Sequence, residues 1–145
     1  MGKRGETGYL GYLLRQAGVA HRLKMERALS DMAVTPPQFS VLTMVVAYPG
    51  ISNADLARLS LLTPQTVSVI VANLERAGTI TRRPHSVHGR IQHIEVTKTG
   101  KKLLTRCREH VHGIERQLHS RLTPPEEKAI RKWLVSLAVE NDSDK

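Results

Sequence analysis

Residues 52–96 constrain the fold more than any other part of the chain. Ser52 with Asp55 three residues on is a capping pattern, and it opens a short helix over 52–59. Leu56, Leu59 and Leu62 are its expected buried side. Thr63-Pro64 then puts a cap residue before a proline. The proline falls in the first helical turn, where a missing N–H is harmless. This starts a second helix over 63–76, with Val67, Ile70, Val71 and Leu74 at helical spacing. Gly78 stands where a left-handed residue ends a helix. Residues 79–83 and 91–96 alternate, with Ile80, Ile94 and Val96 inward between polar neighbours. They read as two strands joined by a tip over 84–90. A helix, a turn, a helix and a hairpin make a winged helix-turn-helix.

The flanks are helical. Over 9–32, Leu10, Leu13, Leu14, Ala17, Ala20 and Leu29 keep an apolar stripe, although Gly11 and Gly18 each cost about 1 kcal/mol against Ala. Thr35-Pro36 opens a central helix carrying Phe39, Val41, Leu42, Val45 and Val46, which Tyr48-Pro49-Gly50 ends. Over 97–122, Leu104, Cys107, Val111, Ile114 and Leu118 follow steps of three and four, a coiled-coil-like seam. Thr123 and Glu126 form a capping box for a last helix with Ala129, Ile130, Trp133, Leu134 and Leu137. The expected fold is mainly α with a small β-hairpin wing, in one domain over 1–145. A winged lobe over 35–97 lies between helices at 9–32 and 98–139. The flanking stripes either close an intrachain core or form a subunit interface. On the second reading Leu10, Leu13, Leu14, Ala17, Val111, Ile114, Leu118, Ile130, Trp133, Leu134 and Leu137 are the dimerisation residues. One winged helix reads few base pairs, whereas two held about 34–36 Å apart read a palindrome, so a two-fold homodimer is expected.

Charge points to the partner. The chain of 145 residues has 22 Lys and Arg against 13 Asp and Glu, a formal net charge of +9. That balance suits a polyanion. Aromatic residues are only Tyr9, Tyr12, Phe39, Tyr48 and Trp133, too few for the stacking platforms of single-strand binders, which favours double-stranded DNA. The candidate DNA contacts are Ser52, Asn53, Thr63, Pro64, Gln65, Thr66, Ser68 and Val69 on the helix pair. Gln can take an adenine edge in two places, and small apolar groups meet a thymine methyl. On the hairpin they are Arg82, Arg83, His88 and Arg90, suited to phosphates or a narrow minor groove. A polar hairpin edge kept solvated against aggregation is the plainer alternative.

Other chemistry is weakly represented. There is no Gly-rich phosphate loop, paired-carboxylate context or nucleophile motif, so no enzyme is expected. No apolar run approaches the ~18 residues of a membrane span, and residues 1–7 hold no apolar signal region, so a cytoplasmic protein is expected. His85, His88 and His93 cluster near the wing, and Cys107, His110 and His112 lie on the fifth helix, but no four of them have zinc spacing. No metal or cofactor is expected. Cys107, the single cysteine, lies in the apolar seam and reads as a buried, inert thiol. Two alternatives stay open: an architectural or protein-binding winged helix without sequence readout, and a metal- or redox-responsive variant of a sequence-reading duplex binder.

The order and spacing of five segments resemble the MarR-type transcriptional regulators over residues 9–139. They are Thr-Pro-Pro-Gln-Phe-Ser-Val-Leu at 35–42, Ser-Asn-Ala-Asp-Leu-Ala at 52–57, Leu-Thr-Pro-Gln-Thr-Val-Ser at 62–68, Leu-Glu-Arg-Ala-Gly-Thr-Ile-Thr-Arg-Arg at 74–83 and Val-Thr-Lys-Thr-Gly at 96–100. The resemblance implies a homodimer joined through its N- and C-terminal helices. It also implies repression of promoters and release by a small aromatic acid or other anionic lipophile, for which Arg15, His21 and Lys24 are candidate contacts. Two departures stand out. The family's Asp-x-Arg wing element is His88-Gly89-Arg90 here, and residues 63–75 carry no Lys or Arg. The first replaces the acidic residue that in the family commonly orients the wing arginine, and the second shifts the expected phosphate attraction onto the wing and its flanking arginines.

Overall fold

The computed structural model describes the backbone of residues 5–84 and 92–143 and the side chains through 139. The chain runs α1 (Leu10–Leu29), a 3-10 turn (Ser30–Met32), α2 (Pro36–Ala47), α3 (Asn53–Ser60), α4 (Pro64–Arg76), β1 (Ile80–Pro84), β2 (Gln92–Val96), α5 (Lys98–Ser120) and α6 (Pro124–Ser143). The predicted tip residues His88 and Arg90, with His85, lie outside the described residues.

Local chemistry sets the helix starts. The side chains of Thr35, Ser52, Thr63 and Thr97 each accept the N–H three residues on, from Gln38, Asp55, Thr66 and Gly100. Thr123 and Glu126 form the expected reciprocal box, with Thr123 N donating to Glu126 Oε1 at 2.8 Å. Each cap satisfies a backbone donor that a helix otherwise leaves unpaired. At the end of α4, Gly78 takes φ +77°, the left-handed stop that a side chain would disfavour.

The lobe packs around α2. Val41, Leu42 and Val45 meet Leu56 and Ala57 of α3, the α4 set Val67, Ile70, Val71 and Leu74, and Ile80, Ile94 and Leu104, all buried. The expected alternation of the hairpin holds, with β1 and β2 antiparallel and Ile80 opposite Val96. One expectation fails: Leu59 is 38% exposed and Ala57 is buried in its place. The buried face of α3 is centred between Leu56 and Ala57. At about 100° per residue Leu59 points about 110° away from that centre.

The flanking stripes divide. Near the lobe they close an intrachain core, where Leu29, Val34 and Cys107 are buried among Met25, Met32, Phe39, Leu103 and Val111. Further out they are uncovered. Leu10 is 70% exposed on α1, Leu118 48% on α5 and Trp133 41% on α6. No described side chain of α6 is buried.

A threonine joins wing to flank. Thr97 Oγ1 donates to the Gly78 carbonyl at 2.6 Å and accepts the Gly100 N–H at 3.1 Å. Its own N–H donates to the Thr79 carbonyl at 2.9 Å. Thr79, buried, returns its hydroxyl to the Leu74 carbonyl at 2.8 Å. The first turn of α5 therefore lies directly on the root of the hairpin. A Cβ on Gly100 would collide with the Thr79 carbonyl oxygen and sit 2.7 Å from Val96 Cγ2.

The α5–α6 elbow is held by charge. His119 Nδ1 lies 2.6 Å from Glu127 Oε1 and its Nε2 lies 3.3 Å from Glu115, while Arg131 donates to the other Glu127 oxygen at 2.9 Å. The bond to Glu127 is the main reason the His119 pKa is raised above the usual histidine value, and Arg131 and His119 together lower that of Glu127.

Two outcomes follow. Gly100→Ala overpacks backbone against backbone and is expected to destabilise the protein by about 1–3 kcal/mol, measured by denaturant unfolding. His119 contributes stability that is complete below the unfolded histidine value of about 6.5 and is lost as pH rises through its raised folded value. The gap in Tm between the unaltered chain and His119→Gln is therefore expected to narrow as pH is raised through that range; a gap independent of pH contradicts the elbow.

Candidate nucleic-acid interface

The start of α4 is exposed and polar. Val67, Ile70, Val71 and Leu74 turn inward, so Pro64, Gln65, Thr66, Ser68 and Val69 are left outward. Val69 is 57% exposed and adds a small apolar group to this surface. Leu61, left-handed at φ +55°, makes the turn between α3 and α4, and its N–H bonds back to Arg58. The two helices are also tied at their first turns. Asn53 Nδ2 lies 3.4 Å from Ser68 Oγ and 3.5 Å from the Pro64 carbonyl oxygen, long contacts that set spacing more than energy.

The predicted contact residues differ in how free they are. The Thr63 hydroxyl caps α4 and also donates to Thr66 Oγ1 at 2.9 Å. The Ser52 hydroxyl is committed to the Asp55 N–H. Gln65 has no hydrogen-bond partner among the described residues and keeps its whole amide edge for a ligand. Arg76, the first cation on α4, sits at the far end and donates to Asn73 Oδ1 at 3.1 Å.

The described wing arginines, Arg82 and Arg83, are engaged. Arg82 donates through Nη2 and Nε to Glu75 Oε1, at 2.7 and 3.2 Å. That hydrogen bond is the largest influence holding Glu75 below the usual carboxylate range and Arg82 above its own. Arg83 is ion-paired with Glu95 on the neighbouring strand. Alternation separates the pair. Arg82 shares the Ile80 side of β1, towards α4, and Arg83 takes the opposite side.

A second feature lies between α1, α2 and α5. It is a cavity of about 410 Å³ lined by His21, Met25, Phe39, Arg108, Val111, His112, Ile114 and Glu115. His21 was expected at a ligand site; Arg15 and Lys24 stand exposed on α1 and are not among the lining residues. Sequence reasoning missed Phe39, Arg108 and His112. Arg108 and His112 are one helical turn apart and flank the seam residue Val111, a signal visible once the seam is drawn.

Cys107 is fully buried, and desolvation raises its thiol pKa against a smaller opposing pull from Arg106. That environment disfavours the thiolate a redox sensor needs. Among the described residues no group of three His, Cys, Asp or Glu side chains is placed to hold a metal ion, and no helix is long and apolar enough to cross a membrane.

This architecture has known counterparts. A model of the MarR family matches residues 34–91. The HTH-type transcriptional repressor Rv2887 of Mycobacterium tuberculosis is 34% identical over 128 residues, covering 88% of this chain and 92% of the relative. The crystal structure of that protein in complex with p-aminosalicylic acid superposes with a TM-score of 0.69 at 32% identity, over 90% of this chain and 98% of that one. The S. aureus MepR–DNA complex gives a TM-score of 0.83 at 25% identity, over 91% of this chain and 98% of that one.

Proposed function

The chain belongs to the MarR family of transcriptional regulators, and from that premise we propose that it is a repressor that grips a pseudo-palindromic operator in double-stranded DNA as a homodimer. The observation that carries this reading is the start of α4, an outward surface of Pro64, Gln65, Thr66, Ser68 and Val69 held by a satisfied cap. A helix end of this kind fits a major groove. Ser52, Asn53 and Thr63 stand beside it, and Arg83 with His88 and Arg90 serves the phosphate backbone. The net charge of +9 supplies the sequence-independent attraction.

Dimerisation is assigned to residues 9–32 and 98–139, flanking the reading lobe at 35–97. The support is the uncovered apolar surface, including Leu10, Leu14, Leu118, Ile130, Trp133 and Leu134. Leu13, Ala17 and Leu137 continue the same stripes, whereas Val111 and Ile114, also expected there, turn towards the chain's own core and cavity. Exposed apolar surface on this scale marks an interface. A regulator of this kind works in the cytoplasm, and the reading gives it no catalytic role.

The cavity beside His21 is the effector site in this reading, and its ligand is a small aromatic acid. Arg108, His21 and His112 supply cationic or donor groups for a carboxylate, and Phe39, Met25, Val111 and Ile114 supply an apolar wall. The related Rv2887 has been crystallised with such acids. Because α1 and α5 also form the walls, occupancy changes the relation between the reading lobe and the dimer helices.

Selection from a random duplex library near physiological salt tests the reading. The expected product is a pseudo-palindrome with half-sites about 34–36 Å apart; binding without enrichment would instead make the protein architectural. Gln65→Ala is expected to lose about 1–3 kcal/mol of discrimination at one position per half-site and little elsewhere. With that duplex in hand, salicylate is expected to release it, and Arg108→Ala to raise the salicylate needed while leaving DNA affinity unchanged.

A further inference from the structure

We infer that the adjacent arginines of the wing have different tasks: Arg82 is a positioning residue that braces the wing on the recognition helix through Glu75, and Arg83 is the one that reaches phosphate. The inference rests on the DNA-binding reading above and deepens it.

The geometry separates them. Glu75 is the second-last residue of α4, ten positions beyond Gln65. At about 1.5 Å per residue it sits about 15 Å along the axis from the end that offers side chains to bases. Arg82 is drawn to that far end. Its Nε and Nη2 share one carboxylate oxygen at 3.2 and 2.7 Å, a side-on grip that fixes the guanidinium plane. The negative end of the helix dipole lies there and favours a cation. The register explains why Arg82 and not its neighbour makes this bond. Arg82 is opposite Ile94 on the side of the hairpin that carries buried Ile80, so it faces α4. Arg83 faces away and is the more exposed, 66% against 35% for the two side chains. Its partner Glu95 lies on the same hairpin, so that pair fixes nothing on α4.

The consequence for recognition is mechanical. The wing is rooted on α4 through Gly78 and Thr79, and on its second strand Ile94 accepts the Gly50 N–H and donates its own to the Ile51 carbonyl. The Arg82–Glu75 bond ties the first strand directly to the end of α4, two residues beyond Ile80. It makes the wing and the recognition helix one body, so that groove and phosphate contacts are met together.

Salt dependence of binding to the selected duplex and to a random duplex, with hydrogen exchange, tests this. Arg82→Ala and Glu75→Gln are each expected to weaken the selected duplex by about 2- to 5-fold, the worth of a half-exposed ion pair. The double variant is expected to lose no more than either single one. Neither should change the salt slope on random duplex. Arg83→Ala should flatten it by about one phosphate per subunit. A charge swap, Glu75→Arg with Arg82→Glu, should recover the selected duplex. If Arg82→Ala flattens the slope and Glu75→Gln tightens binding, Arg82 is a phosphate ligand and the brace is wrong. Failure of the unaltered chain to select any site sinks the DNA reading alone. The brace is then read from exchange of the β1 amides, which Glu75→Gln should accelerate; unchanged exchange overturns it.

Discussion

The reading head and the flanking helix meet at a contact with no side chain between them: Gly100 in the first turn of α5 against the Thr79 carbonyl at the foot of β1. Thr97 closes the joint by bonding Gly78, Thr79 and Gly100 at once. The end of α4, the start of the wing and the start of α5 are thereby fixed within a few residues of one another. Backbone hydrogen bonds and close packing therefore couple the start of α5 to the end of α4. In the proposed regulator this joint connects the outer helices, which wall the effector cavity, to the DNA-reading end.

The electrostatics are arranged differently from what the net charge suggests. A surplus of cations draws the chain towards any polyanion. At the wing, however, Arg82 and Arg83 are each matched by a carboxylate, and the exposed start of α4 carries no cation. Attraction and discrimination are thus housed apart. Long-range pull comes from the whole surface and is screened by salt. In the proposed reading, discrimination falls to neutral groups, above all the amide of Gln65, which salt does not screen.

The outer helices explain why the chain is incomplete as a monomer. α6 buries none of its described side chains, and the far ends of α1 and α5 are uncovered. A 20-residue helix with Trp133, Leu134, Val135 and Val139 partly exposed gains little from tertiary burial. Most helical stability in proteins comes from such burial and not from propensity. The caps at Thr123 and the ion pairs at His119 hold the elbow ready, and a second copy supplies the missing surface in the proposed dimer.

Much of this was legible without coordinates. Helix starts were readable because a cap is local chemistry, a hydroxyl three residues from the N–H it accepts. The inward positions of α4 were readable because a long helix with one buried face imposes its period on the sequence. The short α3 was harder: eight residues do not average out an error of phase, so Leu59 was expected inside and Ala57 lies there instead. The sequence by itself determined the order of elements, the winged helix-turn-helix, the basic character and the outward residues at the start of α4. Only the tertiary structure decided that Arg82 turns to Glu75, that Gly100 must be glycine, and that His21 shares a cavity with Phe39, Arg108 and His112. Those facts join residues from separate elements, and their meeting depends on packing angles that no local pattern encodes.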